Sequence, residues 1–183
     1  MNMLAVVGGP RRRGNTDLLM DEVIRGAREA GASVERVFLA DLAIEPGDGC
    51  DACRKTSRRV RRHDMVGLYD KLFESDVWIL GTPVYWWGPC AQLKAFIDRW
   101  CLFGEDGRDR AQGKRAALVA TFAGKNPDTA RHAVGMLQDS FDYLRIGFTE
   151  QLLVAADDRG EVARDRLALG RAHALGTRLV LGR

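Results

Sequence analysis

An apolar run, Met3–Val7, stops dead at a glycine pair, Gly8-Gly9, and an amphipathic segment begins a few residues later. Pro10, three arginines, Gly14 and the polar pair Asn15-Thr16 fill the gap. Beyond Asp17, the residues Leu19, Met20, Val23, Ile24 and Ala27 recur at helical spacing. A short apolar run followed by a 3.6-period pattern reads as a buried strand, a tight loop and a helix start. Asn15 or Thr16 is placed to cap that helix, whose first-turn N–H groups otherwise lack partners and carry the positive end of the dipole. A loop rich in backbone N–H groups and arginines at such a point is suited to an anion, above all a phosphate.

The kind of phosphate is constrained by spacing. Gly9–Thr16 reads G-x-x-x-x-G-N-T, one residue short of the P-loop pattern, with Asn15 where that pattern has its lysine. The missing charge argues against a nucleoside triphosphatase. The dinucleotide pattern G-x-G-x-x-G also fails, because Gly8 and Gly9 are adjacent and no third glycine follows at the right offset. A single terminal phosphate, as on a mononucleotide, remains.

The same alternation continues along the chain. Ser33–Ala40 reads as a second strand, Met65–Ser75 as a short amphipathic helix, and Val77–Leu80 as a third strand. Gly81–Gly88 reads as a loop, with Pro89 in the first turn of the next helix, which carries Leu93, Phe96, Ile97 and Trp100. Arg115–Thr121 is a fourth strand, and a third loop follows at Phe122–Gly124. A helix over 128–144, a fifth strand around Gln151–Val154 and a closing helix over 161–181 complete the pattern. Strands that alternate with helices imply parallel pairing. The expectation is an α/β doubly wound, five-stranded parallel sheet forming a single domain over 1–183. In such sheets, ligands bind beyond the strand carboxyl ends at the switch point. The loops after strands one, three and four fall at that edge.

At 183 residues the chain is large enough for a full core, and 46% hydrophobic with 29% charged residues is a globular composition. No apolar run approaches the roughly 20 residues that span a bilayer, and no signal-peptide pattern opens the sequence. A cytoplasmic protein without membrane contact is expected. A net charge of +3 gives no case for nucleic acid.

In the second loop, Pro83, Val84, Tyr85, Trp86 and Trp87 crowd together at a strand end. Aromatics there offer a flat wall for a planar heterocycle. A phosphate loop and a ring platform on one sheet describe a flavin mononucleotide site. At this point the sequence resembles the NADPH-dependent FMN reductase family. G-G-P-R-R-R-G-N-T is similar to that family's G-S-P-R-x-x-G-N-T, and Gly81–Trp100, GTPVYWWGPCAQLKAFIDRW, is similar to its second signature. The resemblance covers most of 3–102. It implies a flavodoxin-like fold with strand order 2-1-3-4-5, and FMN at the switch point. It places Arg11, Gly14, Asn15 and Thr16 on the FMN phosphate. Pro83, Val84, Tyr85 and Trp86 would line the isoalloxazine, Gly88 would allow close backbone approach, and Thr121 to Gly124 would form the third flavin loop. Gly9 stands where the family has Ser.

The resemblance further implies FMN as cofactor, NAD(P)H as co-substrate, a small-molecule electron acceptor such as a quinone or flavin, and a homo-oligomer, dimer or tetramer. No catalytic side chain is expected, because hydride transfer to a flavin needs no acid or base from the protein. A flavodoxin-type electron carrier and a flavin/thiol redox-sensing module are the rival readings.

Asp41–Asp64 is long and polar, with Cys50-x-x-Cys53 and a basic run, Arg54, Lys55, Arg58, Arg59, Arg61 and Arg62. The segment resembles iron–sulfur flavoproteins of the same superfamily, whose four-iron–four-sulfur cluster takes four thiolates. Two cysteines here do not suffice, and zinc from Cys50, Cys53 and His63 lacks a fourth ligand. No metal is expected. The basic run is either a solvated face or a landing patch for the NADPH phosphates. Cys90 and Cys101 read as core residues.

Overall fold

The computed structural model describes residues 1–47, 64–100 and 105–182. Its long strands are β1 (Asn2–Val7), β2 (Ser33–Phe38), β3 (Val77–Tyr85), β5 (Arg115–Phe122) and β6 (Gly147–Ala155). The two-residue β4 (Gly88–Pro89) pairs antiparallel with the end of β3. The helices are α1 (Asn15–Glu29), α2 (Met65–Glu74), α3 (Ala91–Asp98), α4 (Glu105–Ala111), α5 (Arg131–Leu144) and α6 (Arg166–Leu181). All the long strands pair in parallel, in the order β2-β1-β3-β5-β6. With the short β4 set aside, this is the expected order 2-1-3-4-5.

The central strands are nearly continuous apolar runs because both sheet faces are covered. Leu4 and Val6 of β1 join Trp78, Leu80, Phe96, Trp100, Leu137 and Phe141 on the α2/α3/α5 face. Met3, Ala5 and Val7 alternate onto the other face with Leu19, Val23, Val119, Leu175 and Leu179 of α1, β5 and α6. Period-2 alternation within a continuous apolar run thus feeds two cores at once.

Several boundaries differ from the sequence reading. α1 has Gly14 as its N-cap, with no side-chain cap, so neither Asn15 nor Thr16 caps it. β3 runs on to Tyr85 through Gly81 and Pro83, residues that read locally as breakers. Pro83, which has no N–H to offer a ladder, sits at the last pair with β5, opposite Thr121. Pro89 lies in β4 and Cys90 is the N-cap of α3, not its first turn. The fifth strand spans Gly147–Ala155. The helix over 128–144 begins as a single 3-10 turn, Pro127–Ala130. The closing helix is likewise split: a 3-10 turn, Glu161–Arg164, precedes α6, which Asp165 caps by accepting the Ala168 N–H at 2.9 Å. α2 turns Met65, Leu68, Tyr69 and Leu72 inward and leaves Phe73 half-buried. α4, with glycine inside a charged stretch, had no periodicity to announce it. No helix among the described residues is long and apolar enough to cross a membrane.

Candidate functional site

Parallel strands end together, and their carboxyl ends here open onto one cleft of about 240 Å³. Gly9, Pro10, Arg11, Gly14, Asn15, Thr16 and Asp17 form one wall, from the β1–α1 loop. Pro83, Val84 and Tyr85 come from β3, and Thr121, Phe122 and Ala123 from the end of β5. Ala156, Asp157 and Arg159 come from the loop after β6.

The phosphate-type loop is shaped from beneath. Arg13 adopts a left-handed conformation (φ 54°), and its N–H donates to Asp17 Oδ2 at 2.6 Å. Asp17 is itself buried and ion-paired with Arg36 from β2, whose guanidinium also reaches Asp21 at 2.8 Å. Burial holds the Asp21 carboxyl above the usual carboxylate range, against the pull of Arg36. The Asp17 charge in the cleft wall is therefore neutralised in place. Among the described residues, no hydrogen bond is made by the backbone N–H of Asn15, Thr16 or Asp17, the first turn of α1. These donors remain available to an anion.

The three arginines have separate fates. Arg11 lines the cleft. Arg12 turns away, its guanidinium 4.5 Å above the Phe38 ring and ion-paired with Asp41. Arg13 contributes backbone geometry. Asn15 also spends its side chain inside the protein: Nδ2 donates to the Asp158 carbonyl at 2.8 Å, and Oδ1 accepts the Val162 N–H at 3.3 Å. The Thr16 and Thr121 hydroxyls lie 2.7 Å apart, both buried. One proton joins them, and the second is left to point at a ligand. At Gly9, a Cβ would lie 3.1 Å from Pro83 Cδ. Glycine where the family carries Ser lets the phosphate loop sit closer to Pro83.

β3 and β4 form a hairpin in which Tyr85 faces Gly88 and Trp86-Trp87 are the two turn residues. Both have positive φ, 49° and 62°, as a type I′ turn requires, although neither is the Asn or Gly that such turns prefer. Trp86 is 87% exposed and Trp87 49%. Beneath the hairpin, Cys90 is fully buried with its Sγ 3.4 Å from Thr82 Oγ1. Burial pushes this thiol up, which keeps it protonated and unreactive.

Residues 1–158 match the family model for NADPH-dependent FMN reductase. The chain belongs to that family. An iron–sulfur flavoprotein of Archaeoglobus fulgidus is 33% identical over 124 residues, covering 68% of this reductase-family chain and 56% of the relative. The chain spans about half the length of this and a similar Methanocaldococcus jannaschii flavoprotein that it matches. A Bacillus subtilis protein provisionally named as an NAD(P)H-dependent FMN-containing oxidoreductase is 26% identical over 180 residues, covering 96% of both chains. An NAD(P)H:quinone oxidoreductase from Methanothermobacter marburgensis superposes with a TM-score of 0.79 at 19% identity, over 98% of this chain and 96% of that one. The fold is flavodoxin-like.

Of the residues singled out from the FMN reductase motifs, Arg11, Gly14, Asn15, Thr16, Pro83, Val84, Tyr85 and Thr121 line one cleft. Trp86, Gly88 and Gly124 lie outside its lining, the first two on the hairpin and Gly124 at the far end of the third loop. Phe122 and Ala123 belong to the third loop expected here, whereas Asp17, Ala156, Asp157 and Arg159 were missed. The last three were within reach of the strand-end rule, because a polar D-D-R-G stretch follows the fifth strand at the same sheet edge. Cys50, Cys53, His63 and the basic run 54–62 lie outside the described residues, as does Cys101. Among the described residues, no three His, Cys, Asp or Glu side chains gather as a metal site. His173 bonds Glu29 on the helix surface at 2.8 Å, and His132 is exposed.

Proposed function

We propose that this chain is a single flavin-binding domain acting as an FMN-dependent NAD(P)H oxidoreductase. It passes electrons from the nicotinamide nucleotide to a small acceptor such as a quinone or a flavin. The observation that carries the reading is the convergence of a phosphate-type loop and an aromatic hairpin on one cleft. The residues present fit the mononucleotide. The amides of Asn15, Thr16 and Asp17, unpartnered among the described residues, and the guanidinium of Arg11 suit a terminal phosphate. The Thr16–Thr121 pair retains one hydroxyl donor. Pro83, Val84 and Tyr85 present apolar surface beyond it.

The flavin, when bound, supplies the hydride-accepting chemistry. The protein's part is to hold and orient it. Asp17 and Arg36 cancel each other beneath the phosphate loop, so the anion meets no uncompensated carboxylate from α1. Trp86 and Trp87 stand at the edge of the cleft as a platform for a second planar molecule, nucleotide or acceptor. The exposure of Tyr85, Trp86 and Trp87 together also supports a homo-oligomer, dimer or tetramer, that shelters this patch. A cytoplasmic setting, where reduced nicotinamide nucleotide is available, completes the reading.

Isothermal titration with FMN and FAD tests it. FMN is expected to bind the tighter of the two, because the loop offers one phosphate site. Equal or tighter FAD binding would overturn the mononucleotide assignment.

A further inference from the structure

One wall of the cleft arrives from the far end of the chain. The segment after β6 is held against the phosphate loop by Asn15 on both the Asp158 carbonyl and the Val162 N–H, at 2.8 and 3.3 Å. Arg159 Nη2 donates to the Arg12 carbonyl at 3.1 Å. Glu161 fixes the shape of the segment, its Oε2 accepting from the N–H of Asp157 at 2.8 Å and of Asp158 at 3.0 Å. Gly160, left-handed at φ 75°, passes close to the Arg13 carbonyl.

On the reading that FMN binds here, we propose that Arg159 is a second phosphate-binding cation of the site. It makes the cleft selective for a phosphate monoester. The charge balance of the wall favours such a group. A phosphate monoester carries nearly two negative charges at neutral pH. Of the three arginines in the loop itself, only Arg11 lines the cleft. Arg12 is committed to Phe38 and Asp41. Two carboxylates also line the cleft, Asp17 and Asp157. Arg36 neutralises Asp17 from outside the lining, and nothing comparable is seen at Asp157 among the described residues. Without Arg159, a single arginine would face both Asp157 and the incoming phosphate.

Arg159 is positioned for the task. Its bond to the Arg12 carbonyl uses one of five guanidinium donors and fixes the head group at the rim of the phosphate loop. The remaining donors lie on a residue that lines the cleft. A fork of N–H groups matches phosphate oxygens in a way that an ammonium does not. Asp157, beside it in sequence, is an acceptor suited to the hydroxyls of the attached polar chain.

The test is flavin titration of the full chain and its Arg159→Gln and Arg159→Lys variants, using FMN and riboflavin, which lacks the phosphate. Arg159→Gln is expected to weaken FMN about tenfold, equivalent to about 1.4 kcal/mol, with riboflavin unchanged. Arg159→Lys should recover part of the loss, and the FMN advantage of the parent chain should shrink as salt is raised. Unchanged FMN affinity in Arg159→Gln overturns the inference. So does a parallel loss for both flavins, which would make Arg159 a structural clasp. A parent chain that binds neither flavin, or binds riboflavin as tightly as FMN, overturns the mononucleotide reading itself.

Discussion

Replacing Gly176 with Ala lowers stability by about 3 kcal/mol and the melting temperature by about 10 °C in thermal unfolding. α1 and α6 pack backbone to backbone. A Cβ on Gly176 would lie 2.0 Å from the Val23 carbonyl oxygen and 2.7 Å from the Ala27 nitrogen. The contact is reciprocal, since a Cβ on Gly26 would lie 2.1 Å from the His173 carbonyl oxygen. Backbone cannot rotate out of the way as a side-chain tip can, so the two helices must separate and leave Leu19, Val23, Leu175 and Leu179 poorly packed. Because α1 carries the phosphate loop at its start, flavin affinity should fall with stability. Gly170→Ala in the same helix is the control. Nothing lies within 4 Å of its Cβ position, so the better helix propensity of Ala should stabilise by about 0.5–1 kcal/mol. Equal, small effects for the two variants would refute the close-packing account.

Changing Trp86-Trp87 to Asn-Gly is expected to act in opposite directions on stability and activity. Two consecutive non-glycine residues in the left-handed region cost about 1 kcal/mol each. Asn-Gly adopts the same turn without that strain. Trp86 buries almost nothing in exchange, at 87% exposure. The variant should therefore gain about 2 kcal/mol, less what Trp87 contributes through its half-buried ring. NAD(P)H turnover with a quinone acceptor should fall at least tenfold with flavin still bound, because two stacking surfaces are lost at about 1 kcal/mol each. Strain that persists where the Trp86 ring contacts little of its own protein is what a functional display looks like. A loss of stability in this variant would instead identify the rings as a packing surface held by contacts.

The parts of the fold that depend on burial were legible in the sequence. Strands covered on both faces read as continuous apolar runs, and α1 showed its inward stripe at Val23, Ile24 and Ala27. The parts that depend on distant partners were not. Asn15 and Thr16 looked like helix caps because residues of that type usually serve locally. Their partners are Asp158, Val162 and Thr121, more than a hundred positions away. Local sequence likewise could not separate Arg11 from Arg12, because Phe38 and Asp41, which draw Arg12 off, approach only once β2 has docked beside β1. Gly81 and Pro83 misled in the other direction. Their turn-forming character is real, but the pairing of β3 with β5 overrides it as far as Thr121. The wall formed by 156–159 stands between the two: its place at the sheet edge followed from the strand-end rule, but its docking on the phosphate loop rests on the distant contacts of Asn15 and Arg159.

The central claim is that this cleft holds FMN where a nicotinamide nucleotide can reduce it. The direct measurement is anaerobic addition of NADPH, and separately NADH, to flavin-loaded protein, followed by absorbance. The account predicts loss of the oxidised-flavin band at one equivalent of nucleotide, and its return on addition of a quinone. A protein that is folded and loaded with FMN, yet keeps an oxidised spectrum with excess of either nucleotide, would contradict it.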